Sequence, residues 1–476
     1  MSKHFGRIQV KQKYSPIVMH THRVSWRMKD IVMCAMVGSI IFSIVKVPFL
    51  PVSPTIILPF MLFLTCHHEW KKWRVHLLRM PILRAFLILY GLMIIGDIVI
   101  SGICYASISE AGRLVSSAVA VISLTLYSMS SPERTQRATN VFGMAILISC
   151  LWFIMEITVV EPFVSMRGRI YAQIYSSKTD LNIDSLRSGL TPFNHLMGYQ
   201  IVGLFPLLFV KWHGERRYSW KMLYLIGLII IFLTLYFTSQ RSSFCGMMVS
   251  LAFILFYSRI RLRLSKLMLF LFLSLGLSFI VISSVAVSKS ELQPSIISKL
   301  QSGIYMDDAI FRIMLQLRAL KLVFQYPFGL PMAGVDWETV GFWPVKDNFN
   351  GDTFPNVIAV HNGYLGSGLE YGLGVFLIAV YMLYRMLKLS IQLLSSKWPS
   401  HPDIGRLCTI VGATIIGLYF LQSMLHNASV LTREPVSLFF LSLALSLKLR
   451  YCYEITSKPY QNSFLKEPSA GITSIA

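Results

Sequence analysis

The sequence is poor in charged residues, and acidic residues are the scarcest of them. Of its 476 residues 14% are charged and 54% are hydrophobic, and the mean hydropathy is +0.60. A soluble domain carries about 25% charged residues, so a chain this apolar needs lipid to cover its surface. The excess of 44 basic over 22 acidic residues falls in short clusters between apolar runs. This distribution is typical of cytoplasmic loops and argues against nucleic acid as a partner.

Two other features are missing from the sequence. None of the seven cysteines forms a C-x-x-C pair, so neither a disulfide framework nor a thiolate metal site is indicated. The first thirty residues are polar and basic and lack a short apolar core followed by a small-residue cleavage site. We therefore expect no cleavable signal.

Long apolar runs dominate the rest of the sequence. Runs of about 17 to 25 apolar residues are long enough to cross a bilayer as helices, and they predict an all-α polytopic membrane protein with about twelve transmembrane helices. The second predicted span is short and its edges are poorly defined. The predicted spans are 31–49, 52–67, 83–106, 114–130, 141–160, 194–212, 222–238, 242–258, 267–287, 370–388, 407–424 and 434–449.

The basic residues orient these spans. With the N-terminus inside, the inside segments hold 30 of the 44 Lys and Arg residues and the outside segments hold 13, while Lys46 falls within the first span. Cytoplasmic loops carry such an excess. Both ends of the chain are therefore predicted to be cytoplasmic.

Two outside segments are long. The shorter covers 161–193. The longer, 288–369, separates nine predicted spans within 31–287 from three within 370–449, and the segments 1–30 and 450–476 are cytoplasmic in this prediction. In the longer segment a helix-like run from Asp307 to Tyr326 is apolar nearly all round, which predicts a helix that packs against other parts of the protein. Four helix-breaking residues then end it: Pro327, Gly329, Pro331 and Gly334.

The first candidate site lies between two spans, in the segment from Thr238 to Ser243. Arg241 in this segment cannot be fully solvated, and an arginine at membrane depth costs several kcal/mol without a partner. In one interpretation Arg241 extends to the outer interface and has no further role. In the other it binds an anion, and a phosphate suits the guanidinium geometry.

The second candidate is the segment from His361 to Leu365, at the end of the longer outside segment. A neutral histidine at the membrane boundary is a plausible general base. The structural alternative is that Asn362 caps a helix and the histidine lies in the wet interface.

Further candidates lie on the same side. Arg187 precedes a span in the shorter outside segment, which ends near His195, while Arg312 and Arg318 belong to the longer one. Each arginine alone is unremarkable. Together with Arg241 and His361 they form a one-sided group, in a protein whose other basic residues lie mostly on the opposite side.

This ordered set of motifs resembles the bacterial O-antigen ligase and polysaccharide polymerase superfamily. The motifs are the Arg187–Gly189 segment before a span, the Ser239–Arg241 segment between two spans, Arg312 with the later Pro327-x-Gly329, and His361–Leu365 with the later Glu370-x-Gly372. Each motif is short and degenerate, and their order and placement are more specific than any one of them. The resemblance covers about residues 180 to 390.

The resemblance implies a glycosyltransferase-C-like fold with a large, helix-containing periplasmic loop. It implies en bloc transfer of a glycan from undecaprenyl diphosphate to a sugar hydroxyl, with inversion and without a metal or other cofactor. Arg241, with Arg187 or Arg312, would hold the diphosphate, and His361 would accept or orient the proton of the acceptor hydroxyl. Ser239, Asn362 and Tyr364 would help to bind diphosphate or glycan.

The residues themselves also give little support for a metal. The dolichol-type membrane glycosyltransferases carry carboxylates in the first outside loop, and the segment from Pro48 to Pro54 has none. The adjacent pair Asp307 and Asp308 lies at the start of a predicted helix, where acidic side chains favour the N-terminus.

Several functional alternatives are open. The enzyme would be a surface polysaccharide polymerase (O-antigen, capsule or exopolysaccharide) or a ligase that attaches glycan to lipid A-core, in the bacterial cytoplasmic membrane. Its partners would be the lipid-linked glycan, the acceptor, the bilayer and, as a candidate, a chain-length regulator. A lipid-linked glycan flippase or another transporter is the alternative from a different class, although conspicuous acidic residues within the spans are few, such as Asp97 and Glu156.

Overall fold

The structure is a computed structural model that describes most, but not all, of the chain. The described residues are 27–42, 54–158, 160, 190, 194–238, 241–257, 304–335, 337–340, 343–346, 353–356, 360–395, 402–425 and 434–464. The predicted span 267–287 and most of the segment 161–193 lie outside them.

The described chain is helical apart from one short hairpin. The helices are α1 Met28–Ile41, α2 Pro54–Thr65, α3 His67–Leu78, α4 Pro81–Ser101, α5 Tyr105–Met129, α6 Pro132–Ile157, α7 Asn194–Gly214, α8 Tyr218–Thr238, α9 Arg241–Tyr257, α10 Ile304–Gln325, α11 Trp337–Val340, α12 Gly363–Tyr371, α13 Leu373–Ser395, α14 Pro402–Ile415 and α15 Pro435–Phe464. A 3₁₀ turn spans Pro331–Ala333. After α14 the chain continues as a π-helical segment, Ile416–Gln422, and one α-turn, Ser423–Leu425.

The hairpin pairs β1 (Trp343–Lys346) with β2 (Thr353–Asn356) in antiparallel register, with Trp343 opposite Asn356. Proline marks many of the helix starts: it is the first residue of α2, α4, α6, α14 and α15. Its fixed φ suits the first helical position, where its missing N–H would have no partner.

Six helices in the described part of the chain are long and apolar enough to cross a membrane. They are α4, α5, α6, the Tyr218–Leu235 part of α8, α13 and the run Asp403–Leu425. Two more apolar helices are shorter, α2 and the Ser242–Tyr257 part of α9. Apart from the short hairpin, the described protein is therefore helical and of the membrane-embedded type, as its hydropathy predicts. The count of twelve spans stays a prediction.

The bundle packs around two helices. α5 contacts α2, α4, α6 and α15, while α14 and the π-helical segment pack against α7, α9, α13 and α15. Aromatic rings fill one of these junctions, where Phe142 stacks on Phe439 at 4.1 Å between ring centres and meets Phe440 edge-on at 5.4 Å. Thr125 on α5 donates to the carbonyl of Ser442 on α15 at 3.2 Å. These contacts hold the last helix against the N-terminal half.

A buried ionic cluster joins the start of α1 to α5 and α6. The carboxylate of Asp30 accepts from the hydroxyl of Tyr127 at 2.7 Å and pairs with the guanidinium of Arg137 at 2.9 Å. Beside it, Lys29 pairs with Glu69 on α3 at 2.7 Å. Burial alone would raise the pKa of Asp30, but the Arg27 amide, the Tyr127 hydroxyl and Arg137 hold it below its ordinary value.

The helix predicted in the longer outside segment is confirmed as α10. It packs on α12 through one face, along which Leu315, Ala319, Leu322 and Val323 are buried. The helix ends at Gln325, directly before the predicted break at Pro327. Part of the apolar surface of α10 therefore packs against the rest of the protein, as the sequence pattern indicates.

The boundary between the longer outside segment and the next span differs slightly from the prediction. Residues 370 and 371 end the short helix α12, and the long helix α13 begins at Leu373 rather than at residue 370. Between them Gly372 adopts φ +91°, a conformation that ends α12 because other residues rarely adopt it.

Candidate functional site

The His361 segment forms a turn that leads into α12. His361 itself has φ +50°, in the left-handed region that a residue other than glycine rarely occupies. Its side chain is half-buried, and the flanking Val360 and Asn362 are buried. Such strain persists where the surroundings fix it, and it is found disproportionately at functional sites.

The two residues that follow in this motif fix the turn to its neighbours. The Oδ1 atom of Asn362 accepts from the backbone N–H groups of Tyr364 and Leu365, both at 3.1 Å, so Asn362 caps α12. The buried hydroxyl of Tyr364 donates to the carbonyl of Tyr419 in the π-helical segment at 2.9 Å. Burial raises the pKa of Tyr364, so this phenol stays a donor. The contacts of Asn362 and Tyr364 with substrate stay predictions.

One amide links the turn to the loop helix. The Nε2 atom of Gln316 on α10 donates to the carbonyl of Met424 at 3.3 Å and lies 3.5 Å from the carbonyl of His361. Gln316 is therefore placed between three elements: α10, the His361 turn and the end of the run that begins with α14. A single side chain ties the longer outside segment to a membrane-embedded helix.

The π-helical segment carries a second link. Nε2 of Gln422 donates to the hydroxyl of Ser243 on α9 at 3.1 Å, and both side chains are fully buried. The Oε1 atom of Gln422 has no hydrogen-bond partner among the described residues. A Cβ added to Gly198 on α7 would lie 2.2 Å from the hydroxyl oxygen of Ser243, so the start of α7 meets this pair closely.

The π-helical segment approaches α9 closely at Gly417. A Cβ added at Gly417 would lie 2.3 Å from the hydroxyl oxygen of Ser250 and 2.8 Å from the carbonyl oxygen of Gly246. Small residues let membrane helices approach in this way. π-Helical turns occur frequently at functional sites, and this one positions Tyr419 and Gln422.

The structure brings together the segments that hold three of the predicted site residues. Arg241 is the first residue of α9, two positions before Ser243, and Arg312 lies one turn before Gln316 on α10. The side chains of both arginines are outside the described part of the chain. These two helices and the His361 turn all connect to the stretch from Gln422 to Met424, which we call the junction.

The remaining two predicted site residues, Arg187 and Ser239, lie outside the described residues. Leu190, three positions after Arg187, is described, and its backbone N–H donates to the hydroxyl of Ser149 on α6 at 3.2 Å.

Three polar residues at or near the junction were missed by the sequence analysis: Gln316, Gln422 and Glu434. Ser243 lies within the candidate segment from Thr238 to Ser243, but no role was assigned to it. Glu434 is buried and accepts from the N–H groups of Val436 and Ser437, at 3.0 and 2.5 Å, at the start of α15. The sequence offered one signal for these residues, which is an uncharged amide, such as Gln422, within an apolar run. Its partner could not be read from the sequence because the contact joins α9 to the end of a different span.

The Pro327-x-Gly329 and Glu370-x-Gly372 motifs are paired by their backbones. Leu330 N–H donates to the Leu369 carbonyl at 2.7 Å, and Leu373 N–H donates to the Pro327 carbonyl at 2.9 Å. Gly329 and Gly372 both have positive φ, and a Cβ on either would lie about 2.5 Å from a backbone oxygen of the other segment. These glycines therefore fix α10 to the start of α13.

The described side chains that link the junction, Gln422, Gln316 and Ser243, are neutral donors and acceptors, and the His361 turn lies beside them. Amides and hydroxyls of this kind bind groups that both donate and accept, as sugar hydroxyls do. Among the described residues no three His, Cys, Asp or Glu side chains are arranged to hold a metal ion.

Comparison with known proteins gives no assignment. The chain matches no protein-family model and no curated protein. The function therefore has to be argued from the residues and their geometry.

Proposed function

We propose that this protein is a membrane glycosyltransferase that polymerises a surface polysaccharide. It would take glycan from undecaprenyl diphosphate and transfer it to a sugar hydroxyl, in the bacterial cytoplasmic membrane, with about twelve spans in a glycosyltransferase-C-like arrangement. The proposal combines the ordered motifs of the sequence with one structural observation. That observation is the pair of links, Ser243 to Gln422 and Met424 to Gln316, that joins the segments bearing Arg241, Arg312 and His361.

The convergence supports the proposal because the chemistry needs both ends of the donor bond in one place. The acceptor hydroxyl oxygen would attack the anomeric carbon while the bond from that carbon to the diphosphate oxygen breaks, which inverts the centre. The leaving diphosphate takes the electron pair, and guanidinium groups of Arg241 with Arg187 or Arg312 would stabilise its growing charge. His361 would take the proton from the acceptor hydroxyl.

The described contacts give Asn362 and Gln316 a supporting role in this mechanism. Asn362 fixes the start of α12, and Gln316 lies against the carbonyl of His361. Together they would hold the imidazole at the junction. Neither residue needs to touch the reacting atoms for this role.

The test replaces one residue at a time in the native host. We expect His361→Ala and Arg241→Ala to leave protein in the membrane and to abolish long surface glycan. His361→Asn is the sharper variant, because asparagine tolerates a left-handed backbone and so removes the imidazole while keeping the turn. Wild-type polymer in His361→Asn would overturn the role of the histidine.

The control is Arg217→Ala, an exposed arginine between α7 and α8 that the topology assigns to the opposite side; its polymer should be unchanged. A deletion strain separates polymerase from ligase by the gel pattern of lipopolysaccharide. Core plus one repeat unit, or loss of capsule with unchanged lipopolysaccharide, supports a polymerase, whereas bare core with intact lipid-linked polymer supports a ligase. Purified protein that makes polymer from lipid-linked repeats without a membrane gradient would exclude a transporter.

A further inference from the structure

The helix α10 has an apolar face that the rest of the described protein does not cover. Residues three and four apart share one side of a helix, and Ile313, Leu317 and Phe324 lie on the same side. Their side chains are 59%, 61% and 59% exposed. The opposite side of α10 packs on α12, so the exposed face is not needed to attach the helix.

Two cations lie along one side of this apolar face. Arg318 and Lys321 are both exposed, and on a helical wheel they lie together beside the stripe of Ile313, Leu317 and Phe324. An apolar face bordered by basic residues is typical of a helix that lies in the interface of a bilayer. The long aliphatic parts of such cations let the charges reach the phosphate level.

The exposed face also continues toward a membrane span. Phe328, 77% exposed, belongs to the turn whose Pro327 carbonyl accepts from the first residue of α13, Leu373, at 2.9 Å. α13 is long and apolar enough to cross the membrane, and its own exposed side carries Leu377, Tyr381 and Tyr384. The end of α10 is therefore anchored where a span begins.

We infer that α10 lies in the interface of the bilayer leaflet on the His361 side. Ile313, Leu317, Phe324 and Phe328 contact acyl chains, and Arg318 and Lys321 contact phospholipid phosphates. The helix α10 therefore lies against the membrane beside the junction and does not project into solvent. The inference does not depend on the proposed glycosyl transfer.

The test measures depth at adjacent positions of full-length protein in vesicles of phosphatidylethanolamine and phosphatidylglycerol. A nitroxide is attached through p-acetylphenylalanine, which leaves the native cysteines in place, at position 317, 324 or 325, with position 384 on α13 as the lipid reference. We expect labels at 317 and 324 to collide more with oxygen than with a water-soluble nickel chelate, as at 384. The label at Gln325, one residue from Phe324 but on the polar flank, should show the reverse.

Two results would overturn the inference. High nickel accessibility at 317 and 324 would place the face in water, and low accessibility to both reagents would mean that protein covers it. The variant carrying both Arg318→Glu and Lys321→Glu tests the phosphate contact. We expect it to lower the oxygen-to-nickel ratio at position 324 in vesicles with phosphatidylglycerol, and an unchanged ratio would refute that contact.

Discussion

At the scale of single residues, Asp30 is the carboxylate on which the α1 cluster depends. Its side chain is 2% exposed and pairs with Arg137, whose side chain is 19% exposed. We expect Asp30→Asn to destabilise the protein by about 3 kcal/mol, because removing one partner of a buried pair leaves the other charge uncompensated. Thermal unfolding of the detergent-purified protein, followed by intrinsic fluorescence, measures this loss.

The pH dependence of that loss has a definite sign. Because the pKa of Asp30 is lowered in the folded state from 3.8, its contribution is fully present above about pH 4 and disappears as the pH falls through the folded value. The stability gap between wild type and Asp30→Asn should thus be constant from pH 7 to pH 5 and narrow below pH 4. Asp403→Asn is the matched control, since Asp403 is 61% exposed in its pair with Arg406 and should cost less than about 1 kcal/mol. Equal losses for the two variants would contradict the assignment.

Single residues also show what the sequence could not predict about the candidate site. The motif around His361 could be found, and the capping role of Asn362 was one of its two interpretations. The left-handed backbone of His361 could not be predicted, because nothing in the local sequence demands it. The contacts of Gln316 with Met424 and of Gln422 with Ser243 were also hidden, since each joins positions more than 100 residues apart in the chain.

At the scale of elements, the pairing of the two Gly motifs yields the sharpest prediction. Gly372 has φ +91° and ψ −179°, a region almost exclusive to glycine, and a Cβ there would lie 2.4 Å from the carbonyl oxygen of Pro327. We expect Gly372→Ala to destabilise the protein by at least about 2 kcal/mol and to loosen α10 from α13. Limited proteolysis within 327–335 and thermal unfolding measure the two effects.

The control lies two residues further on. Gly374 is inside α13, and a Cβ there would meet nothing within 4 Å. Gly374→Ala should therefore be neutral or stabilise by up to about 1 kcal/mol, since alanine favours the helix. A Gly372→Ala protein as stable and as protease-resistant as Gly374→Ala would show that the paired turn is dispensable.

Element boundaries were predictable where one signal dominates. The apolar run and the following prolines and glycines located α10 and its end. Two apolar runs likewise located the end of α8 at Thr238 and, to within one residue, the start of α9 at Arg241. The π-helical segment was not predictable, because the same hydropathy suits an α-helix. The tight contact that Gly417 of this segment makes with α9 is likewise not visible in the local sequence.

At the scale of the whole molecule, composition predicted the class of protein, and geometry added the relation between distant segments. Hydropathy reflects how each residue interacts with water or lipid, and it needs no knowledge of contacts between distant residues. A helical membrane protein could therefore be predicted from it directly. The order in which helices pack depends on side-chain fit between residues far apart in sequence. The contact of α15 with α5 and the convergence of α9, α10 and the His361 turn on the junction are of this second kind.

The side of the membrane on which each segment lies is the last prediction, and it rests on the distribution of basic residues. In a variant with the exposed Cys104 and Cys245 replaced by serine, one new cysteine is placed at Lys71 on α3 or at Gln325 on α10, both exposed. With a membrane-impermeant maleimide on intact spheroplasts, Gln325→Cys should be labelled at once. Lys71→Cys should be labelled only after permeabilisation, because the inside segments hold most of the Lys and Arg. The parent with Cys104→Ser and Cys245→Ser gives the background. The reverse pattern would place His361 on the cytoplasmic side, where a lipid-linked donor that has been flipped across the membrane could not reach it. That result would refute both the predicted topology and the proposed reaction.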